Sequence, residues 1–359
     1  MRVRVANAPV SYGIYRPDHP LPPDRLLAAF RDHGYQGTDS GPLGYLGEGE
    51  ALARRLARHG LSLAGGWADL RYGAEPAAFA ADLRALDRAL DAFTAVPVDD
   101  ALFAPRPTLA CPADPERFAA PGVPYGPDRQ RPDAPDHPGR PGHPGRSVRP
   151  DQEREDFAAD VQRAADRCRE RGLEPVFHPH LGTAVETPEE TRLLLSRTDV
   201  SLCLDTGHWW LAGGDPVAAV AEFGPRIRQV HLKDADRAVH ERVRRAGGDL
   251  WAVVAAGGFP ALGEGDIDLP AVLAALQAAG YGGWLVVEQD APPQEQDQDQ
   301  VPGRSPDQAH GREADPDQGR IAAQQKANSA LLRGLLRDPP PAGPRGTPSE
   351  PLCQERPHP

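Results

Sequence analysis

The chain has 359 residues and a formal net charge of −12, with 39% hydrophobic residues, 41 prolines and 37 glycines. The acidic balance argues against a nucleic-acid or anionic-membrane binder, either of which needs a basic face, and no apolar run approaches the ~20 residues of a membrane helix. Prolines and glycines are clustered, which leaves roughly 270–290 residues able to bury a core, close to the roughly 250 of one α/β barrel.

The opening MRVRVANAPVSYG lacks the apolar core of a signal peptide. Cys111, Cys168, Cys203 and Cys353 show no CxxC spacing, so neither a disulfide framework nor a structural zinc site is expected. Both features suit a reduced, cytoplasmic protein. From there short apolar runs alternate with amphipathic stretches. Strands are expected at 3–10, 35–40 (the weakest), 61–68, 101–110, 173–178, 200–205, 227–232 and 284–289. Helices are expected at 23–33, 48–59, 76–94, 154–171, 188–197, 215–223, 268–279 and 320–336. Thr187-Pro188 and Asp215-Pro216 place a capping side chain before a first-turn proline. Gly60, Gly172 and Gly280 stand just past helix ends.

Such alternation implies parallel βα units and, with eight of them, a single (β/α)8 TIM barrel. A doubly wound open sheet alternates too, but the first βα turn carries no GxGxxG. The Pro/Gly/Arg-rich stretch 112–152, the polar stretch 291–318 and the tail 338–359 read as disordered segments outside a barrel made of 1–290 plus 319–337.

Chemistry concentrates where strands end. Asp205 ends VSLCLD, His231 ends IRQVH, Glu288 ends WLVVE, and His178 and His180 flank a proline after LEPVF. The C-terminal strand ends of a barrel converge on one mouth, so these residues become neighbours. Mixed imidazole and carboxylate donors suit Mn²⁺ or Co²⁺ first, with Zn²⁺, Fe²⁺ and Mg²⁺ also accommodated. A strand-end carboxylate can equally cap a loop, and a buried histidine can be a satisfied structural group. Three separate strand ends that each finish in a ligand type favour a shared metal site. His19, His33, His59, His137, His143, His240, His310 and His358 fall in helices or polar loops and read as solvated.

LCLDTGHWWLAGGDP, IRQVHLKD and GEGDIDLPAVLAALQAAGYGGWLVVEQD together resemble the sugar phosphate isomerase/epimerase superfamily with its xylose isomerase-like barrel. HPHLGTAVET followed by DTGH is most similar to the inosose dehydratase branch. The resemblance makes Asp205, His231 and Glu288 metal ligands. His178 stands where the epimerases carry a glutamate, with His180 as its rival. That replacement weakens a symmetric two-carboxylate proton relay. His208 and His180 would face substrate hydroxyls, and Lys233 would stabilise an enolate oxygen or shuttle a proton, against a bland reading as a surface salt-bridge lysine. Glu288 or a histidine would be the base. Trp67, Trp209 and Tyr12 are candidates for an apolar wall against a sugar ring, or else barrel-mouth core. Asp39 is a candidate substrate-binding acid, and the Gly263-Glu264-Gly265 turn a loop near substrate.

The function expected is a metal-dependent isomerase or epimerase of a small sugar or polyol that abstracts a proton next to a carbonyl. The alternative is an inosose-type hydro-lyase on a keto-polyol, towards which His178 tilts the choice. An endonuclease-IV-like DNA repair enzyme needs three metals and a basic face. A non-catalytic sugar-binding regulator needs no filled ligand positions. The partners expected are a small-molecule substrate and, optionally, further copies of the chain, with no nucleic acid and no membrane.

Overall fold

The structure, a computed structural model, describes residues 1–122, 151–292 and 316–337. Eight strands, β1 (Arg2–Asn7), β2 (Gly37–Asp39), β3 (Ser62–Asp69), β4 (Arg106–Ala110), β5 (Val176–Phe177), β6 (Ser201–Asp205), β7 (Ile227–Leu232) and β8 (Gly282–Val287), pair in sequence order into a closed parallel barrel. β1 closes on β8, with Arg2 opposite Gly282 and Asn7 opposite Val287. The helices in chain order are α1 (Pro23–Asp32), α2 (Gly49–His59), α3 (Pro76–Thr94), α4 (Pro115–Phe118), α5 (Asp151–Glu170), α6 (Pro188–Arg197), α7 (Thr206–Leu211), α8 (Pro216–Phe223), α9 (Arg237–Arg245), α10 (Leu250–Ala255), α11 (Leu269–Ala278) and α12 (Pro316–Arg337). Among the described residues no helix is long and apolar enough to cross a membrane.

Local chemistry sets the boundaries. At α6 the Thr187 hydroxyl accepts from the Glu190 amide at 3.3 Å while the Glu190 carboxylate accepts from the Thr187 amide at 3.1 Å, a reciprocal cap that satisfies two end donors. Gly60 ends α2 at φ +65°, a conformation that costs a side-chain-bearing residue about 1–2 kcal/mol.

The barrel floor is built from size contrast. Trp284 of β8 fills it, packed with Ala6, Ala64, Phe103 and Val286. A Cβ on Gly37 would lie 2.6 Å from the indole, so β2 needs glycine there. The indole N–H donates to the Phe103 carbonyl at 2.9 Å.

Phe103 corrects the expected fourth strand. Residues 101–103 form a 3₁₀ turn capped by Asp100, and β4 starts only at Arg106. The turn tucks an aromatic ring under the barrel instead of extending the sheet. Residues 112–122, expected in the first insertion, belong to the folded body. Asp114 caps α4, its backbone amide donates to the Gly182 carbonyl at 2.8 Å, and the Arg117 side chain is fully buried. Residues 123–150 of that insertion, most of the second and the tail lie outside the described residues, and 151–152 open α5.

Candidate metal and proton-transfer site at the barrel mouth

Strand geometry gathers the chemistry. Asp205 ends β6, His231 lies in β7, and His178 and Glu288 follow β5 and β8 by one residue. All four are buried, at 9% exposure or less. The His178 Nε2 lies 3.6 Å from Asp205 Oδ2, and His231 Nδ1 lies 3.2 Å from Glu288 Oε1. Ligand atoms of Asp205, His231 and Glu288 all come within 4.8 Å of one another. The His178 and His231 ring centroids are 4.9 Å apart.

These atoms are short of partners. Both ring nitrogens of His178, both of His231, and Asp205 Oδ2 are buried without a hydrogen bond. Buried polar atoms are almost always bonded, and orphans cost about 1–3 kcal/mol each. Convergent orphans of imidazole and carboxylate type suit a divalent cation. Asp205 divides its two oxygens. Oδ1 accepts from the His208 amide at 2.9 Å and starts α7, which leaves Oδ2 turned inward.

Lys233, one residue past β7, is 1% exposed and so is no surface lysine. Its Nζ lies 3.4 Å from Asp205 Oδ2, 3.2 Å from Glu288 Oε2 and 2.9 Å from Asp290 Oδ1. Burial lowers the ammonium's affinity for its proton, but the charges of Asp205, Asp290 and Glu288 outweigh it and keep the pKa above the ordinary value. Asp205 and Glu288 stay ionised below the usual carboxylate range, because their cationic neighbours overcome burial. For Asp290 burial prevails and its pKa is raised.

The Lys233 ammonium also donates to His208 Nε2 at 2.9 Å. Because an ammonium only donates, Nε2 is the acceptor and the His208 proton sits on Nδ1, which is buried without a partner. Burial and the nearby His180 and Lys233 push His208 well below its ordinary pKa, which keeps it neutral. His180 packs its ring 3.7 Å from that of His208 and its Nδ1–H donates to the Leu181 carbonyl at 2.7 Å. Burial, with His178 and Lys233 adding to it, pushes His180 down to about 3. It belongs to neither close ligand group, which favours His178 as the inward histidine.

The other expected site residues divide. Trp67 is half-buried and edges against His178 and His180 at 5.2 and 5.5 Å, so it lines the mouth. Trp209 does not. It is 4% exposed in the hydrophobic core, packs edge-on against Phe223 of α8 at 5.9 Å, and is no wall for a sugar. Its place on α7, one residue after His208, turns it outward to the helical shell. Tyr12 is likewise core, against Phe30 at 5.6 Å. Asp39 ends β2, buried, where burial pushes its carboxyl up to about 6 despite the Gly41 amide. The Gly263–Gly265 turn wraps around buried Asp234, which accepts from the Gly263 and Gly265 amides at 2.8 and 3.0 Å. His19, His59 and His240, expected in solvent, are buried; His59 Nε2 lies 3.0 Å from Asp24 and His240 Nε2 3.1 Å from the Pro121 carbonyl.

Asp290 escaped the sequence reading. Glu288 and Asp290 are two apart, a spacing that puts both on one face of extended chain. A cavity of about 220 Å³ opens beside Asp290, lined also by Phe259, Glu264, Gln289 and Gln325.

A profile of the xylose isomerase-like TIM barrel family matches residues 27–306. The chain belongs to the xylose isomerase-like TIM barrel family. The rhizopine catabolism protein MocC of Rhizobium meliloti is 33% identical over 282 residues, 77% of this chain and 76% of that protein. An inosose dehydratase of Geobacillus kaustophilus (strain HTA426) is 41% identical over 146 residues, 40% of this chain and 47% of the relative. The chain thus spans about half the length of the inosose dehydratases it matches. Among solved structures, L-ribulose 3-epimerase superposes with a TM-score of 0.58 at 17% identity, covering 94% of this chain and 95% of that one. The IOLI protein with a binding zinc atom superposes at 0.57 and 13% identity, covering 92% and 96%. These two likenesses concern the fold.

Proposed function

We propose that the chain is a divalent-metal-dependent dehydratase of a keto-polyol of the inosose type. The observation that carries this reading is the convergence of buried His178, Asp205, His231 and Glu288, with both nitrogens of each histidine and Asp205 Oδ2 left without a hydrogen bond, beside the Lys233–His208 pair. A divalent ion, Mn²⁺ or Co²⁺ by donor type, would supply Lewis-acid polarisation of a carbonyl when bound. One barrel of the same fold is known with a bound zinc atom, so the fold can hold a divalent ion.

The residues provide a closed proton circuit. Glu288 Oε2 takes the proton from the carbon next to the carbonyl and lies 3.2 Å from Lys233 Nζ. Lys233 passes a proton to His208 Nε2 at 2.9 Å and recovers one from Glu288, which returns both groups to their starting charge. His208 gives its Nδ1 proton to the departing β-hydroxyl. One proton leaves carbon, one reaches the hydroxyl, and substrate becomes enone plus water. His178, standing where an epimerase has glutamate, removes the carboxylate that would return a proton to the opposite face.

An isomerase or epimerase is the second reading, favoured by Asp39, a buried carboxylate that feels the charge of Glu288 and could complete a two-carboxylate relay. Incubation of the Mn²⁺-supplemented enzyme with inosose in D₂O separates them. The dehydratase reading expects an ultraviolet-absorbing product lighter by one water. A product of unchanged formula with deuterium beside the carbonyl would instead establish isomerisation or epimerisation.

A further inference from the structure

Cys203 and Asp205 are two apart on β6, so both face the barrel interior, with the thiol roughly 6–7 Å deeper. Ligand atoms of His178, Cys203 and His231 all lie within 4.8 Å of one another, as close as those of Asp205, His231 and Glu288. Cys203 is fully buried, and neither nitrogen of either histidine has a hydrogen-bond partner. The floor set therefore shares His231, and His178 too, with the four-residue set at the mouth. The upper set is rich in oxygen and the lower one contains sulfur.

We propose that His178, Cys203 and His231 form a second cation position in the barrel floor, which captures thiophilic divalent ions such as Zn²⁺ and Cd²⁺ and thereby inhibits the enzyme. The proposal rests on the reading of His178 and His231 as ligands of the working metal. Thiolate selects soft ions, whereas carboxylate with imidazole suits Mn²⁺ and Co²⁺. On capture the Cys203 thiol gives up its proton to solvent and the ion takes its place, with no change of oxidation state. Because His231 serves both sets, an ion in the floor draws this imidazole from the upper one. An ion at the depth of Cys203 also lies beyond the reach of substrate oxygens.

Metal-free protein titrated with Cd²⁺ should develop the ultraviolet sulfur-to-cadmium charge-transfer band. X-ray absorption of the Zn²⁺-loaded protein should contain a Zn–S distance of about 2.3 Å. Cys203→Ser should lose the band, keep Mn²⁺-supported turnover, and weaken Cd²⁺ inhibition by at least about tenfold, the lower bound for losing even a ligand-orienting partner. A sulfur-free Zn²⁺ or Cd²⁺ shell in the unaltered protein overturns the proposal, and that measurement stands even if Cys203→Ser fails to fold. The two readings fail separately. Mn²⁺ binding with a sulfur-free Cd²⁺ shell sinks the floor position alone. A cadmium–sulfur band in a protein that never binds Mn²⁺ sinks the upper site alone.

Discussion

Lys233 holds the mouth of the barrel together electrostatically, since its ammonium serves three carboxylates and one imidazole at 2.9–3.4 Å. The proton circuit makes His208 the donor to the leaving group. His208→Ala should lower kcat by about 10²–10⁴-fold, the usual worth of a general acid, with Mn²⁺ affinity nearly unchanged because His208 is no ligand. Steady-state kinetics beside a metal titration checks this; a loss of metal binding equal to the loss of rate would count against it. A second residue-scale expectation concerns Glu186, buried near Arg117 at 3.3 Å. Burial pushes its carboxyl up to about 7 from an ordinary 4.5, although Arg117 and the Gly182 amide pull it down. The folded protein then holds this proton more tightly than the unfolded chain, so the group's contribution to stability falls as pH rises from 4.5 to 7. Glu186→Gln does not titrate. Its stability relative to the unaltered chain should rise across that window by about 3 kcal/mol, read from denaturant melts on either side. A difference that is flat with pH would refute the shift. Residue types at strand ends were readable because Asp205, His231 and Glu288 each close an apolar run. Asp290 was not, because it opens a polar stretch. Trp209 stayed open between wall and core because its direction depends on α7, a six-residue helix whose cap is the strand-ending Asp205.

That helix illustrates what limits the element scale. α3 and α6 match the expected 76–94 and 188–197 to the residue, since proline and capping chemistry mark their starts. α7, α9 and α10 are short and were not anticipated. The N-cap of α7 is Asp205 itself, so one side chain carries both a start signal and a chemical role. α7 also packs its Gly207 on Lys233, where an added Cβ would meet Cγ at 2.7 Å. Gly207→Ala should therefore displace the ammonium and reduce kcat by about 100-fold, the scale of a 1 Å misplacement, while circular dichroism stays the same. Unaltered turnover in a folded Gly207→Ala protein would show that the position of Lys233 is not critical.

At the scale of the whole molecule, eight strand ends bring together residues from Asp39 to Asp290, and α12 returns to seal the β8–β1 seam. Asn7 donates to Gln325 at 2.9 Å, and Gln325 donates to Gln289 at 2.9 Å, a buried amide chain that ties the last helix to both seam strands. Closure was legible from eight alternating units. The seal was not, because nothing in the polar sequence of α12 says which of its amides turn inward. The arrangement of the mouth leads to one decisive measurement, an anomalous difference map at the manganese edge from crystals grown with Mn²⁺. The account predicts a single strong peak bonded to His178, Asp205, His231 and Glu288, with Lys233 outside the coordination shell. No peak at the mouth, or a peak bonded to His180 in place of His178, would contradict it.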